Sequence, residues 1–116
     1  MNQDNLAIYF IEMLAKQNAT PEEKKIQALI KAALYGDNLI AFVDEVSKAF
    51  NGCGKVKVDT VKGVTEYFKA NSEVQIRKAD CSEEEKESLI KNTSDRIVQG
   101  EVWALGTLAH LGYLEG

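Results

Sequence analysis

The chain has 116 residues, 45% of them hydrophobic and 28% charged, with a single proline, the balance of one folded domain rather than a disordered segment. Area scaling leaves about two thirds of the surface buried on folding, enough for one core without metals or crosslinks. A formal charge of -4 argues against a general nucleic-acid binder, and no stretch reaches the ~20 apolar residues of a membrane span.

The opening Met1–Asn5 has no basic residue, so the apolar run Leu6–Leu14 does not resemble a signal peptide, and a cytoplasmic protein is expected. The Asn92-Thr93-Ser94 sequon is then without meaning. Leu6, Phe10, Met13 and Leu14 share one face of a first helix, and Ala7 and Ile11 widen it. A helix apolar over so much of its girth is central in a bundle or shared with a second subunit.

The second helix has the clearest start. Thr20 caps it, Pro21 takes the first helical position, and Glu23 completes a capping box. Ile26, Leu29, Ile30, Ala33 and Leu34 follow at helical spacing, and Gly36 is the expected stop. A third helix runs from about Asp37 to Phe50, with Leu39, Phe42, Val43, Val46 and Phe50 inward and Asp44, Glu45 and Lys48 in water. Asn51-Gly52-Cys53-Gly54 ends it. Short connections predict an up-down-up array.

Lys55–Val58 and Val74–Arg77 alternate like short strands that can pair as a ribbon. Between them, Asp59 can cap a helix carrying Val61, Val64, Tyr67 and Phe68, which Gly63 weakens by about 1 kcal/mol relative to Ala. Ser82–Glu85 is a second capping box. The apolar period beyond it, Leu89 to Leu111, is long for one helix, and Asn92–Asp95 or Gly100 is expected to divide it.

Few residues suggest chemistry. Cys53 and Cys81 are expected as free thiols, and with the lone His110 they cannot build a zinc site. The acids Asp80, Glu83, Glu84, Glu85 and Glu87 suit the positive end of a helix better than a cation loop, which needs alternating ligands and a turn glycine. Phosphate loops, nucleophile elbows and zinc-protease motifs are absent from the sequence. A Cys53–His110 dyad is the one conceivable nucleophilic pair, and nothing in the sequence brings the two together.

Charge is unevenly spread. Residues 1–47 carry four basic residues against seven acids, residues 48–78 seven against three, and the remainder three against eight. Lys55, Lys57, Lys62 and Lys69, with Tyr67 among them, therefore form a candidate patch for an acidic protein surface. Trp103 and Tyr113, near the closely spaced small residues Gly100 and Ala104, have the character of interface anchors.

The sequence thus predicts an all-α domain over residues 1–116: a bundle of four to six helices, with or without one short two-stranded ribbon. The expected function is non-enzymatic binding of a macromolecular partner, as a regulator, adaptor, inhibitor or immunity-type factor. The partner is another protein or a second copy of the chain. The alternative is a small apolar ligand held between helices. No catalytic residue, metal or cofactor is assigned.

Overall fold

The computed structural model describes residues 3–33, 38–52 and 54–115. Among these lie five helices and one ribbon: α1 (Gln3–Glu12), α2 (Pro21–Ala33), α3 (Leu39–Phe50), β1 (Val56–Lys57), α4 (Val58–Arg77), α5 (Glu83–Leu111) and β2 (Leu114–Glu115). None of the helices is long and apolar enough to cross a membrane. The expected stop at Gly36 and the cysteine Cys53 fall outside the described residues.

Helix α5 is the axis on which the others pack. At 1.5 Å per residue its 29 residues span about 44 Å, which accounts for the longest dimension of 47 Å. It begins where the sequence predicts, with the Ser82 hydroxyl accepting from the Glu85 amide at 3.1 Å. It does not divide. Asn92–Asp95 lie inside it with Thr93 buried, and Gly100 is a point of close approach rather than a break. A Cβ at Gly100 would sit 3.2 Å from the Ile30 carbonyl oxygen, so α2 crosses α5 here nearly backbone to backbone. The helix ends at Gly112, whose φ of 80° is left-handed, with Gly112 and Tyr113 amides donating to Ala109 and Leu108 carbonyls. Such an end suits glycine because a Cβ would crowd the carbonyl.

Helix α4 runs antiparallel to α5 through the tight turn at 78–82. Arg77 joins both, donating to Glu73 and Glu87 at 3.0 and 3.1 Å, while the Lys86 ammonium caps the Arg77 carbonyl. The strand expected at Val74–Arg77 is therefore the last turn of α4. Val61, Val64, Phe68, Ser72 and Ile76 are all buried at helical spacing, and Val74 is exposed where alternation would have put it beside Ile76. Asp59 does not cap α4. The cap position is Lys57, and no side chain caps it. The ribbon does form, with a different partner: β1 pairs in parallel with β2, Val56 against Leu114, closed by a 2.7 Å bond from the Val56 amide to the Tyr113 carbonyl.

The first three helices alternate in direction. The Lys16 amide donates to Gln27 and Lys31 donates to the Glu12 carbonyl, so α1 and α2 run opposite ways. Lys25 reaches the Ala49 carbonyl and lies 5.6 Å over the Phe50 ring, placing the end of α3 beside the start of α2. The inward face of α1 is rotated from expectation. Ala7, Ile11 and Leu14 are buried, Leu6 and Phe10 are half-buried, and Met13, one residue past the helix end at Glu12, is 57% exposed.

The capping box of α2 is complete. The Glu23 amide donates to the Thr20 hydroxyl at 3.1 Å and the Thr20 amide to the Glu23 carboxylate at 3.0 Å. The Lys16 ammonium pairs with the other carboxylate oxygen. That ammonium first, and the Thr20 amide second, hold the Glu23 carboxyl below its ordinary value. A carboxyl whose pKa falls on folding adds stability above its unfolded pKa of about 4.3 and loses it as pH drops through the folded value. Denaturation series across this acid range should show a shallower pH slope for Glu23→Gln than for the wild type. Thr20→Ala should lower stability by about 1 kcal/mol at pH 7.

Candidate functional site

The exposed side of α3 and the outer side of α5 face each other across an open groove. Asn38 starts α3, its side chain accepting from the Ala41 amide at 3.1 Å. From that start, Phe42, Val46 and Phe50 turn inward, and Leu39, Ile40 and Val43 flank them on the groove side. From α5 come Val102, Trp103, Gly106, Thr107 and His110, enclosing about 510 Å³. Trp103 is half-buried, its ring 5.5 Å from Phe42 at a tilt of 55°, so it joins the core to the groove. Ile40 is 83% exposed, Val102 62% and Leu39 52%. Single exposed apolar residues are common, but several around one concavity make this groove a candidate docking surface.

The charge pattern explains why this region stays uncharged. From Ile97 to Leu114 the sequence has one charged residue, Glu101, half-buried outside the groove lining. His110 stands exposed at one end, and Thr107 is buried in the wall. Apolar contact and shape are therefore what this groove can offer a ligand, with an imidazole N–H or nitrogen at its end.

A second groove of about 240 Å³ lies on the other flank of α3, against α2, lined by Ala28, Leu29, Ala32 and Ala49 with Lys25 and Glu45 at its edge. A third cavity is polar. Glu22, Glu23, Lys57, Asp59 and Thr60 meet where α2 and α4 begin. Among the described residues no group of three or more His, Cys, Asp or Glu side chains could hold a metal ion.

The seven residues singled out from sequence occupy separate places. Lys55 is exposed ahead of β1, and Lys57 faces acids: its amide donates to Glu22 at 3.2 Å, and it lines cavities with Asp59 and Glu115. Lys62 and Lys69 share one face of α4, with Glu66 between them paired to Lys69 at 3.3 Å. Tyr67, next after Glu66, turns to another face of the helix, its hydroxyl donating to the Ala15 carbonyl at 3.3 Å. Tyr113 stacks on Phe50 beside the ribbon, ring centroids 6.4 Å apart. Trp103 alone of the seven lines the α3–α5 groove. Leu39 and Val43, expected in the core, belong to the groove, as do Ile40, Val102 and His110. The scarcity of charge after Arg96, where Glu101 is the one charged residue as far as Leu114, is the signal in the sequence that points to Val102 and His110. Cys53 is outside the described residues, so the Cys53–His110 pair is not placed.

Compared with protein-family models, with curated proteins and with solved structures, the chain matches none.

Proposed function

We propose that this chain is a non-enzymatic binding protein that holds a macromolecular partner in the α3–α5 groove. The observation that carries this is the exposure of Ile40 and Val102 on opposite walls of a groove floored by Trp103. Aromatic anchors in an apolar concavity are where binding energy concentrates at protein interfaces. The walls contribute no carboxylate and no thiol, and the one hydroxyl in the lining, that of Thr107, belongs to a buried residue. The cytoplasmic setting expected from the sequence is carried with this proposal.

A small apolar ligand is the second reading, because about 510 Å³ suits a drug-sized molecule. Such a ligand would bury its walls. Here Ile40 stands far enough out that a larger surface is needed to cover it.

Ile40→Asp and Val102→Asp are the direct test. Both side chains are exposed in the single chain, so each variant should still fold, with a far-ultraviolet circular dichroism spectrum like the wild type's. Retention of a specific partner in quantitative cross-linking from the native host should fall at least ~10-fold, as for loss of a central apolar contact. Undiminished retention in both variants would exclude the groove. A monomer carrying a reproducible extra mass in native mass spectrometry would favour the small ligand.

A further inference from the structure

The outer face of α5 continues the groove beyond Trp103. Val98, Val102, Gly106 and Ala109 follow at i, i+4, i+8 and i+11, all exposed, and form one stripe along the helix. Gly106 has no explanation within a single chain. It lies inside a helix, where glycine is less favourable than alanine by about 1 kcal/mol, and nothing stands within 4 Å of the place a Cβ would take. A glycine exposed on an apolar helix face lets a second helix come close.

The stripe is bounded by two polar residues of complementary character. Asp95, exposed, lies seven residues before Val102, and His110, exposed, eight residues after it. At 1.5 Å per residue each is about 11–12 Å from Val102 along the axis. This near-symmetry about one residue is what a two-fold axis requires.

We propose that this face is covered by a second copy of the chain, the two α5 helices crossing antiparallel about a two-fold axis at Val102. The proposal rests on the groove being a docking surface and names its occupant. In this arrangement Val102 meets its own copy, Val98 meets Gly106, and Asp95 comes opposite Ala109 and His110. The imidazole has an N–H to donate to the carboxylate whether or not it is protonated, so the pairing holds at neutral pH. An antiparallel crossing also sets each helix dipole against its opposite. The exposed Ile40 of each chain is carried to the edge of the same contact.

Sedimentation equilibrium of the full chain over a concentration series tests this, using the wild type and three charge variants. The wild type should dimerise. Asp95→Arg and His110→Asp should each weaken the dimer about 10-fold, and the double exchange should restore it to within about 3-fold, a recovery that only a direct contact between the two sites produces. Val102→Cys, with Cys53→Ser and Cys81→Ser in the background, should oxidise to a covalent dimer, and Val74→Cys in that background should not. A chain that stays monomeric throughout, or a dimer indifferent to all these changes, overturns the proposal. A monomer that still binds a different protein dependent on Ile40 overturns it too, while leaving the binding function standing.

Discussion

Replacing Phe68 with alanine is expected to lower stability by about 3–5 kcal/mol, the range for emptying a fully buried aromatic site. Phe68 is wholly buried midway along α4 and, among the described residues, is the largest side chain buried to that degree. It belongs to the main core cluster, which also holds Ile11, Ile30, Val64 and Ile97, so its loss opens a void among residues of four helices. The void cannot close easily, because the α4–α5 pair is held at both ends, by the Arg77 contacts at one and the ribbon at the other. Lys31 adds to the effect: its ammonium lies 5.9 Å from the ring centroid while bonded to the Glu12 carbonyl. Against a total stability of about 5–15 kcal/mol, such a loss takes a large part of the whole. Urea unfolding followed by circular dichroism should show the midpoint falling by roughly 2 M at the usual slopes for this size. A shift under about 0.5 M would mean that the core around Phe68 is not packed as described.

The second large effect is expected at Gly100. Valine there should lower stability by about 2–3 kcal/mol, equivalent to roughly 10 °C in melting temperature. Helix propensity alone would raise stability, since almost any residue is a better helix former than glycine. Packing reverses the sign. A new Cβ falls 3.1 Å from Ile30 Cγ2 and 3.2 Å from the Ile30 carbonyl oxygen, and the carbonyl belongs to α2's backbone and cannot rotate away. Gly63 provides the comparison. It is also inside a helix, with nothing within 4 Å of the point a Cβ would occupy, so Gly63→Ala should gain about 0.5–1 kcal/mol. Equal responses at the two glycines would show that α2 does not approach α5 closely at Gly100.

What can be read in the sequence is what local chemistry decides. The box at Thr20 and Glu23 needs only residues three apart, and Ser82 with Glu85 is the same case, so both helix starts are legible. Pairing over long range is not. A two-residue strand at Val56 and Lys57 has no local preference strong enough to name its partner, and the Tyr113 carbonyl that takes the Val56 amide lies far along the chain. The inward face of the first helix is hidden for a different reason. With apolar residues on nearly every side, periodicity cannot say which side faces in, and Ala7, Ile11 and Leu14 are the inward set. The groove is half legible. Trp103 stands out as an anchor, whereas Leu39 and Val43 fit the stripe of α3 and read as core. Periodicity identifies an apolar face, and only the neighbours decide how much of its width is covered.

The ribbon has a consequence for the order in which the chain assembles. Joining Val56 to Leu114 closes a loop of roughly 57 residues, which from an open coil carries an entropy cost of about 3–4 kcal/mol before the constant term. Two bonded residues per strand cannot offset that alone. If the α4–α5 hairpin forms first, through contacts adjacent in sequence around the 78–82 turn, the ends already lie side by side and the closure is nearly free. The ribbon is thus a latch set after the hairpin. Once set, it stops the two longest helices from sliding along each other, so the bar that bears one wall of the groove keeps its length and register.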